Sequence, residues 1–331
     1  MSERVDATVN IFGRPYQTAI SLLSLLKCSG RHIDVLYLQY EPKGSQYDLE
    51  PPYAIARYLE ESKYNIVLHQ PKIWIEIDVA DVSRMGDAEY RQAIRYQYAF
   101  EHTDKRLLFI LHNDVMFRRD YVGHLMEAIP GFFAAGPLGQ CWNCPASRED
   151  LVRAAGIPQK ACTPETYLDF RPTPDQLKRL YDAAAETGFP VRRYRNGLAS
   201  DYGTNAHPLP ECRVNEWCCL VDVGATRGLV MPEGPILPFG AYAACDGDDL
   251  DLSVVWFREL HRRGLRARHA PCDKFVKHWG GNFRMSRKDY DRAESDARAI
   301  LKKGYPEFVE WCRDNGSALF AENTPATRPL R

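Results

Sequence analysis

The hydrophobic pattern is sharpest between positions 106 and 115, Arg-Leu-Leu-Phe-Ile-Leu-His-Asn-Asp-Val, where an unbroken apolar run stops at His112, Asn113 and Asp114. Such a run reads as a strand covered on both faces. Its polar end reads as the carboxyl edge of a parallel sheet, where side chains reach a ligand crevice. Asp114 is the first candidate functional group on that ground; a plain strand-to-turn boundary is the alternative.

The segments before it alternate in period. Residues 8–12 form a first apolar strand, Gly13-Arg14-Pro15 turns the chain, and 16–27 repeats Ile20, Leu23 and Leu26 at helical spacing. A second strand over 33–38 ends near Glu41, a short helix covers 52–61, and a third strand over 65–68 ends at His69. The spacing predicts a helix over 90–100 that feeds the strand at Leu107. Strands alternating with helices imply right-handed crossovers and a mainly parallel sheet. Arg14, Glu41, His69 and Asp114 all follow strand ends, so one crevice can collect them.

Beyond it, a helix over 121–128 and a strand over 131–136 complete a first half, residues 1–136. Residues 137–211 differ in character: they are Pro- and Gly-containing, hold two cysteine clusters, and show one clear helix over 174–187, capped by Thr173 with Pro174 in its first turn. They read as an insertion. The strand 218–223 returns the chain to the sheet and opens a second half, 212–321. There the acidic stretch Asp246-Gly247-Asp248-Asp249-Leu250-Asp251 reads as the start of a helix that ends at Gly264. A short strand over 266–270, a helix over 287–303 capped by Ser286, a shorter one over 306–314 and a frayed tail, 322–331, follow.

Composition narrows the picture. With 331 residues, 45% hydrophobic and 26% charged, the chain is expected to be an ordinary soluble globular protein with a substantial core. Its 43 basic and 44 acidic residues give a formal net charge of -1 and no global field for nucleic acid. The opening residues do not read as a signal peptide, and no apolar stretch approaches the roughly 20 residues of a bilayer span. A cytoplasmic protein with no transmembrane segment is the expectation. The ten cysteines then read as thiols or metal ligands rather than a disulfide framework.

Five groups can carry chemistry. Asp114 is a hard oxygen ligand for Mn2+ or Mg2+; a bound diphosphate can complete the shell, and His278 can close it, unless that histidine merely packs beside the Gly280-Gly281 turn. Asp249, in the acidic stretch, can accept a proton, while Asp248 and Asp251 read more simply as capping and first-turn charges. Cys141 and Cys144 have zinc-knuckle spacing, with Cys162 and Cys212 available to complete a structural zinc site; buried thiols are the competing reading. Trp279 and Tyr242 offer faces on which a sugar or base can stack or which can pack, and Arg192-Arg193-Tyr194-Arg195 is a compact basic patch.

Three of these stretches, in this order, resemble nucleotide-sugar-dependent glycosyltransferases of the GT-A fold, in particular family 2 enzymes of the rhamnosyltransferase-like kind. Leu111-His112-Asn113-Asp114-Val115 stands where the family has Leu-Asn-Asn-Asp-Val. Asp248-Asp249-Leu250-Asp251-Leu252 is similar to its Glu-Asp-x-Asp-Leu segment, and His278-Trp279-Gly280-Gly281-Asn282 to its late His-x-Gly-Gly stretch. The resemblance covers residues 5–136 and 215–285. It implies a Rossmann-like mixed, mainly parallel sheet flanked by helices, a Mn2+ or Mg2+ ion contacted by Asp114 and by His278, and a UDP-, GDP- or TDP-linked sugar as donor. It implies Asp249 as the base of an inverting transfer. Arg14, Glu41, His69, Arg95, His112, Asn113 and Trp279 fall on the donor side; the resemblance sets Glu41 against the nucleotide base and Arg95, on the helix before the central strand, near the diphosphate. His112 departs from the family's acidic or Asn residue, Asp248 from its Glu, and Tyr96 from its Asn. The insertion has no family counterpart, so the acceptor is not inherited and nucleic acid stays among the candidates.

Two other readings also fit the sequence. A sugar-nucleotide nucleotidyltransferase would use a similar crevice, though the Gly-rich basic loop it needs is thin at Gly13-Arg14-Pro15. A non-catalytic zinc-stapled module binding nucleic acid or protein would account for the cysteines and the basic patch.

Overall fold

The computed structural model describes residues 3–41, 50–73, 75, 79–139, 144–189, 208, 213–240, 242–245, 248–279 and 287–321; for 50–52, 79, 242–245, 248–252 and 287 it describes the backbone alone. Cys141, Cys212, the 192–195 patch, Asp246, Gly280 to Asn282, Ser286 and the 322–331 tail lie outside the described residues.

In chain order the elements are β1 (Val5–Ile11), α1 (Pro15–Ser29), β2 (Ile33–Tyr40), α2 (Glu50–Glu61), β3 (Asn65–His69), β4 (Val79–Ala80), α3 (Ala88–Gln92), α4 (Gln97–His102), β5 (Leu107–His112), β6 (Val115–Phe117), α5 (Tyr121–Ala128) and β7 (Ala134–Gly136). Then come α6 (Glu149–Ala154), α7 (Pro174–Glu186), β8 (Cys218–Asp222), α8 (Val223–Thr226), β9 (Tyr242–Cys245), β10 (Asp248–Asp251), α9 (Leu252–Arg262), β11 (Ala267–His269), β12 (Val276–His278), α10 (Arg287–Gly304) and α11 (Pro306–Asp314).

Seven strands form the main sheet in the order β11-β7-β8-β5-β1-β2-β3. β8 runs against both β5 and β7 while the other pairs are parallel, so the sheet is mixed and largely parallel, as expected. Apolar alternation along β5 explains its position at the centre. Leu107, Phe109 and Leu111 pack into the core beneath α1, α5 and α11, and Leu108 and Ile110 into the core on the opposite face with residues of α6, α7 and α9. A strand buried on both faces must read as a continuous hydrophobic run, and this one does.

Two expectations change. The single helix over 90–100 is two short helices, α3 and α4, because Tyr96 takes a left-handed backbone (φ 67°) that no helix continues through. Arg95 therefore sits in the break rather than on a helix. The acidic stretch is not a helix start either: Asp248–Asp251 pairs antiparallel with β9, Asp249 opposite Ala244, and the helix begins at Leu252. Ladder pairing has overridden the local preference of acidic residues for a helix N-terminus. Strands β6 and β12, too short to show a period, pair antiparallel outside the main sheet with His278 opposite Val115.

Candidate active site

Parallel register aligns one polar row across the carboxyl edge of the sheet. His69 on β3 pairs with Gln39 on β2, Gln39 with Asn10 on β1, and Asn10 with His112 on β5. Paired residues on neighbouring strands share a face, so the four side chains stand side by side. Three points along this edge hold the break between α3 and α4. His69 Nε2 donates to the Gln92 carbonyl at 3.1 Å, and Gln39 Nε2 donates to the carbonyls of Ala93 and Ile94 at 3.2 and 3.4 Å. Glu41 accepts from Arg95 Nε at 2.7 Å and from the Asn10 side-chain amide. Burial alone would push the Arg95 guanidinium down, but its neighbours, Glu41 foremost, together outweigh it and keep Arg95 firmly charged. His69 also stacks on Tyr98, with ring centroids 3.8 Å apart. Glu41 and His69 thus act here on the Arg95 corner.

Asp114 follows β5 by two residues and is 2% exposed. Its Oδ1 lies 3.1 Å from His278 Nε2, and its Oδ2 accepts from Arg14 Nη1. Burial raises a carboxyl's pKa, yet the hydrogen bond from His278 and the positive charge of Arg14 more than offset it, and Asp114 is held well below the usual carboxylate range. Asn113 ties the turn down, its side-chain amide donating to the Gly13 carbonyl at 3.2 Å and to Thr18 Oγ1 at 2.9 Å. On the other side the Trp279 backbone N–H donates to the Asp114 carbonyl at 3.1 Å. Trp217, just before β8, stacks flat on His278, with centroids 4.6 Å apart and planes 3° from parallel.

His112, Asp114 and His278 each offer one ligand atom, all within 4.8 Å of one another, and among the described residues they are the one such group of three. His112 keeps part of its surface open. Even so, loss of hydration dominates its titration and brings it to about 3, with His278, Arg95 and Arg14 adding and Asp114 opposing. A neutral imidazole has a lone pair for a metal, and two imidazoles with an ionised carboxylate suit a divalent ion. The indole Nε1 of Trp279 and Oδ1 of Asn10 are buried without hydrogen-bond partners among the described residues, as a site awaiting a polar ligand would leave them.

Sequence reasoning missed Trp217, Asn10, Tyr290 and Glu294. The last two belong to α10 and reach the β1–α1 corner: the Arg14 N–H donates to the Tyr290 hydroxyl at 3.1 Å, and the N–H groups of Tyr16 and Gln17 donate to Glu294 at 3.0 and 3.1 Å. No sequence signal near residue 14 announces either. Asp249 is placed by its backbone alone, in β10. Of the zinc candidates, Cys144 is buried and Cys162 half-buried, and burial pushes the Cys162 thiol up to about 12, with Cys144 contributing; Cys141 and Cys212 are outside the described residues. Among the described residues no helix is long and apolar enough to cross a membrane.

No family model and no curated protein matches the chain. Among solved structures, a mannosyltransferase from Pyrobaculum calidifontis in complex with GDP-Man and Mn2+ is 13% identical over 98% of this chain and 77% of its own, with a TM-score of 0.44. Core-mannan synthase A from Aspergillus fumigatus, in its Mn/GDP form, is 11% identical over 69% of this chain and 62% of its own, TM-score 0.31. Mouse xyloside xylosyltransferase 1 is 11% identical over 92% and 83%, TM-score 0.36. At such identities and scores these overlaps assign nothing by themselves. What the fold and the site define is a mixed α/β protein with a largely parallel sheet flanked by helices, carrying at the sheet's carboxyl edge a His/Asp/His cluster able to hold a divalent metal.

Proposed function

We propose that the protein is a metal-dependent glycosyltransferase that moves a sugar from a nucleoside-diphosphate donor to an acceptor hydroxyl. The observation that carries this reading is the meeting of Asp114, His278 and His112 at the carboxyl edge of the central strand. That is where an open α/β sheet binds its ligand. Asp114 and His278 would hold the ion with His112 beside them; imidazole nitrogen favours Mn2+ over Mg2+. The ion, when bound, neutralises charge on the departing diphosphate.

The chain's own residues account for the rest. Arg14 and Arg95 supply guanidinium groups for the diphosphate, Trp279 presents an indole to the donor, and Glu41, His69 and Asn113 hold these groups in place. Asp249 accepts the acceptor's proton as the hydroxyl oxygen bonds to the anomeric carbon and the bond from that carbon to the diphosphate oxygen breaks, inverting the centre. The 137–211 segment shapes the acceptor side, and a zinc ion on Cys141, Cys144, Cys162 and Cys212 would be structural.

Incubation with UDP-, GDP- and TDP-sugars and Mn2+, with release of nucleoside diphosphate followed in wild type and Asp249→Asn, tests the reading. Release from one sugar nucleotide, lost in the variant, supports it. Pyrophosphate from a nucleoside triphosphate and a sugar phosphate would replace it with nucleotidyl transfer.

A further inference from the structure

We propose that Arg14 is the resident counter-ion of Asp114 and yields that carboxylate to a divalent ion far more readily when a nucleotide's diphosphate is present to receive its guanidinium. The inference rests on reading Asp114 as a metal contact and adds a rule for how the site fills.

Both carboxylate oxygens of Asp114 are engaged, Oδ2 by Arg14 Nη1 and Oδ1 by His278 Nε2. An ion arriving on Asp114 therefore meets a guanidinium already there. Asp114 and Arg14 cancel each other's charge, and both are sheltered, their side chains 2% and 16% exposed. A divalent ion added alone leaves two uncompensated positive charges in a poorly hydrated place. The two negative charges of a sugar diphosphate remove that excess, so ion and diphosphate bind better together than either does alone.

The backbone of Arg14 is fixed while this happens. Gly13 and Arg14 are both left-handed (φ 58° and 53°), a conformation that costs a non-glycine residue and persists only where the surroundings impose it. Pro15 follows at the first position of α1, and the Arg14 N–H is held by the Tyr290 hydroxyl at 3.1 Å. The side chain is the part that turns. The end of α1 does not compete for the phosphate through its next two amides, because Tyr16 and Gln17 already donate to Glu294 at 3.0 and 3.1 Å. The planar fork of Arg14 suits either partner, carboxylate or diphosphate.

Free Mn2+ measured by electron paramagnetic resonance tests this in wild type, Arg14→Gln, Arg14→Lys and Asp114→Ala, each without nucleotide and with saturating UDP, GDP or TDP. In wild type one nucleotide is expected to tighten Mn2+ binding by roughly tenfold or more. Arg14→Gln is expected to tighten Mn2+ binding without nucleotide and to shrink the nucleotide's effect. Arg14→Lys keeps the charge and is expected to bind Mn2+ alone as weakly as wild type. If Asp114→Ala abolishes Mn2+ binding but Arg14→Gln leaves it unchanged or weaker, the counter-ion role is wrong and the metal site stands. If Asp114→Ala binds Mn2+ like wild type, or wild type binds none even with nucleotide, the metal reading fails and the role of Arg14 with it. Circular dichroism on each variant separates loss of binding from loss of fold.

Discussion

His278 and Asp114 are 164 residues apart in the sequence, yet His278 Nε2 lies 3.1 Å from Asp114 Oδ1. The two-stranded ladder of β6 and β12 makes that meeting, with His278 opposite Val115 and the next N–H on the Asp114 carbonyl. α1 anchors the ladder: Ser21 Oγ donates to the Val115 carbonyl at 2.6 Å, and Ser24 Oγ accepts the Phe117 N–H at 2.9 Å. The cluster is thus set by backbone pairing and by the helix that follows β1.

Trp217 orients one member of that cluster. Its flat stack on His278 restricts the imidazole, and losing such outer support typically costs about 10- to 100-fold in metal affinity. Trp217→Ala is expected to weaken Mn2+ binding on that scale in a calorimetric titration, and Trp217→Phe to recover part of it. Unchanged affinity in Trp217→Ala would mean that β12 alone orients His278.

Gly240 lies close against the Arg95 corner. It has φ +115°, and a Cβ there would lie 2.7 Å from the Arg95 carbonyl oxygen and 2.8 Å from the Arg95 Cβ. Gly240→Ala therefore combines backbone strain with a clash that something must move to relieve. It is expected to cost about 1–3 kcal/mol in a urea melt and to disturb the Arg95–Glu41 pair, lowering affinity for nucleoside diphosphate. A melt matching wild type would show that the corner gives way freely.

Glu294 makes stability depend on pH. Burial is the largest influence and raises its carboxyl from 4.5 to about 7, against the Tyr16 and Gln17 amides and Arg14, which lower it. The protonated form is favoured in the fold, so this contribution is fully present below pH 4.5 and is lost as pH rises through about 7. That difference corresponds to about 3 kcal/mol at most. Unfolding free energy measured between pH 4.5 and 8 should therefore contain a falling component that Glu294→Gln removes. An identical pH profile in the variant would rule out this titration.

On the two helices that flank the Arg95 corner, Arg91 and Glu101 form a buried pair, 2.7 Å apart with side chains 6% and 9% exposed. Glu101→Ala strands the guanidinium and is expected to cost about 3–5 kcal/mol in unfolding free energy. Because Glu101 also accepts from Gln92 and Gln97 on either side of the break, donor affinity is expected to fall as well, and unchanged affinity per folded molecule would show that the Arg95 corner holds without it.

The sequence made the central strand legible because burial on both faces leaves a mark that one segment carries by itself. The same holds for Asp114 at its end and for α7, whose Thr173 and Gln176 form the capping box. Contacts between distant segments leave no such mark. The left-handed Tyr96 that divides α3 from α4 carries no Gly or Pro signal and sits at the corner where Arg95 meets Glu41. Asp248–Asp251 carries local helix-start chemistry that pairing with β9 overrides. Trp217, Tyr290 and Glu294 became visible as site residues only once β8 and α10 were packed against β5 and α1.

The most direct measurement is thermal unfolding of wild type and Asp114→Ala with UDP-, GDP- and TDP-sugars, each with and without Mn2+. A metal-dependent glycosyltransferase centred on Asp114 requires that one nucleotide sugar raise the wild-type transition when Mn2+ is present, and that Asp114→Ala lose the response. A response that is the same in Asp114→Ala, or no response to any nucleotide sugar with or without the metal, would contradict it.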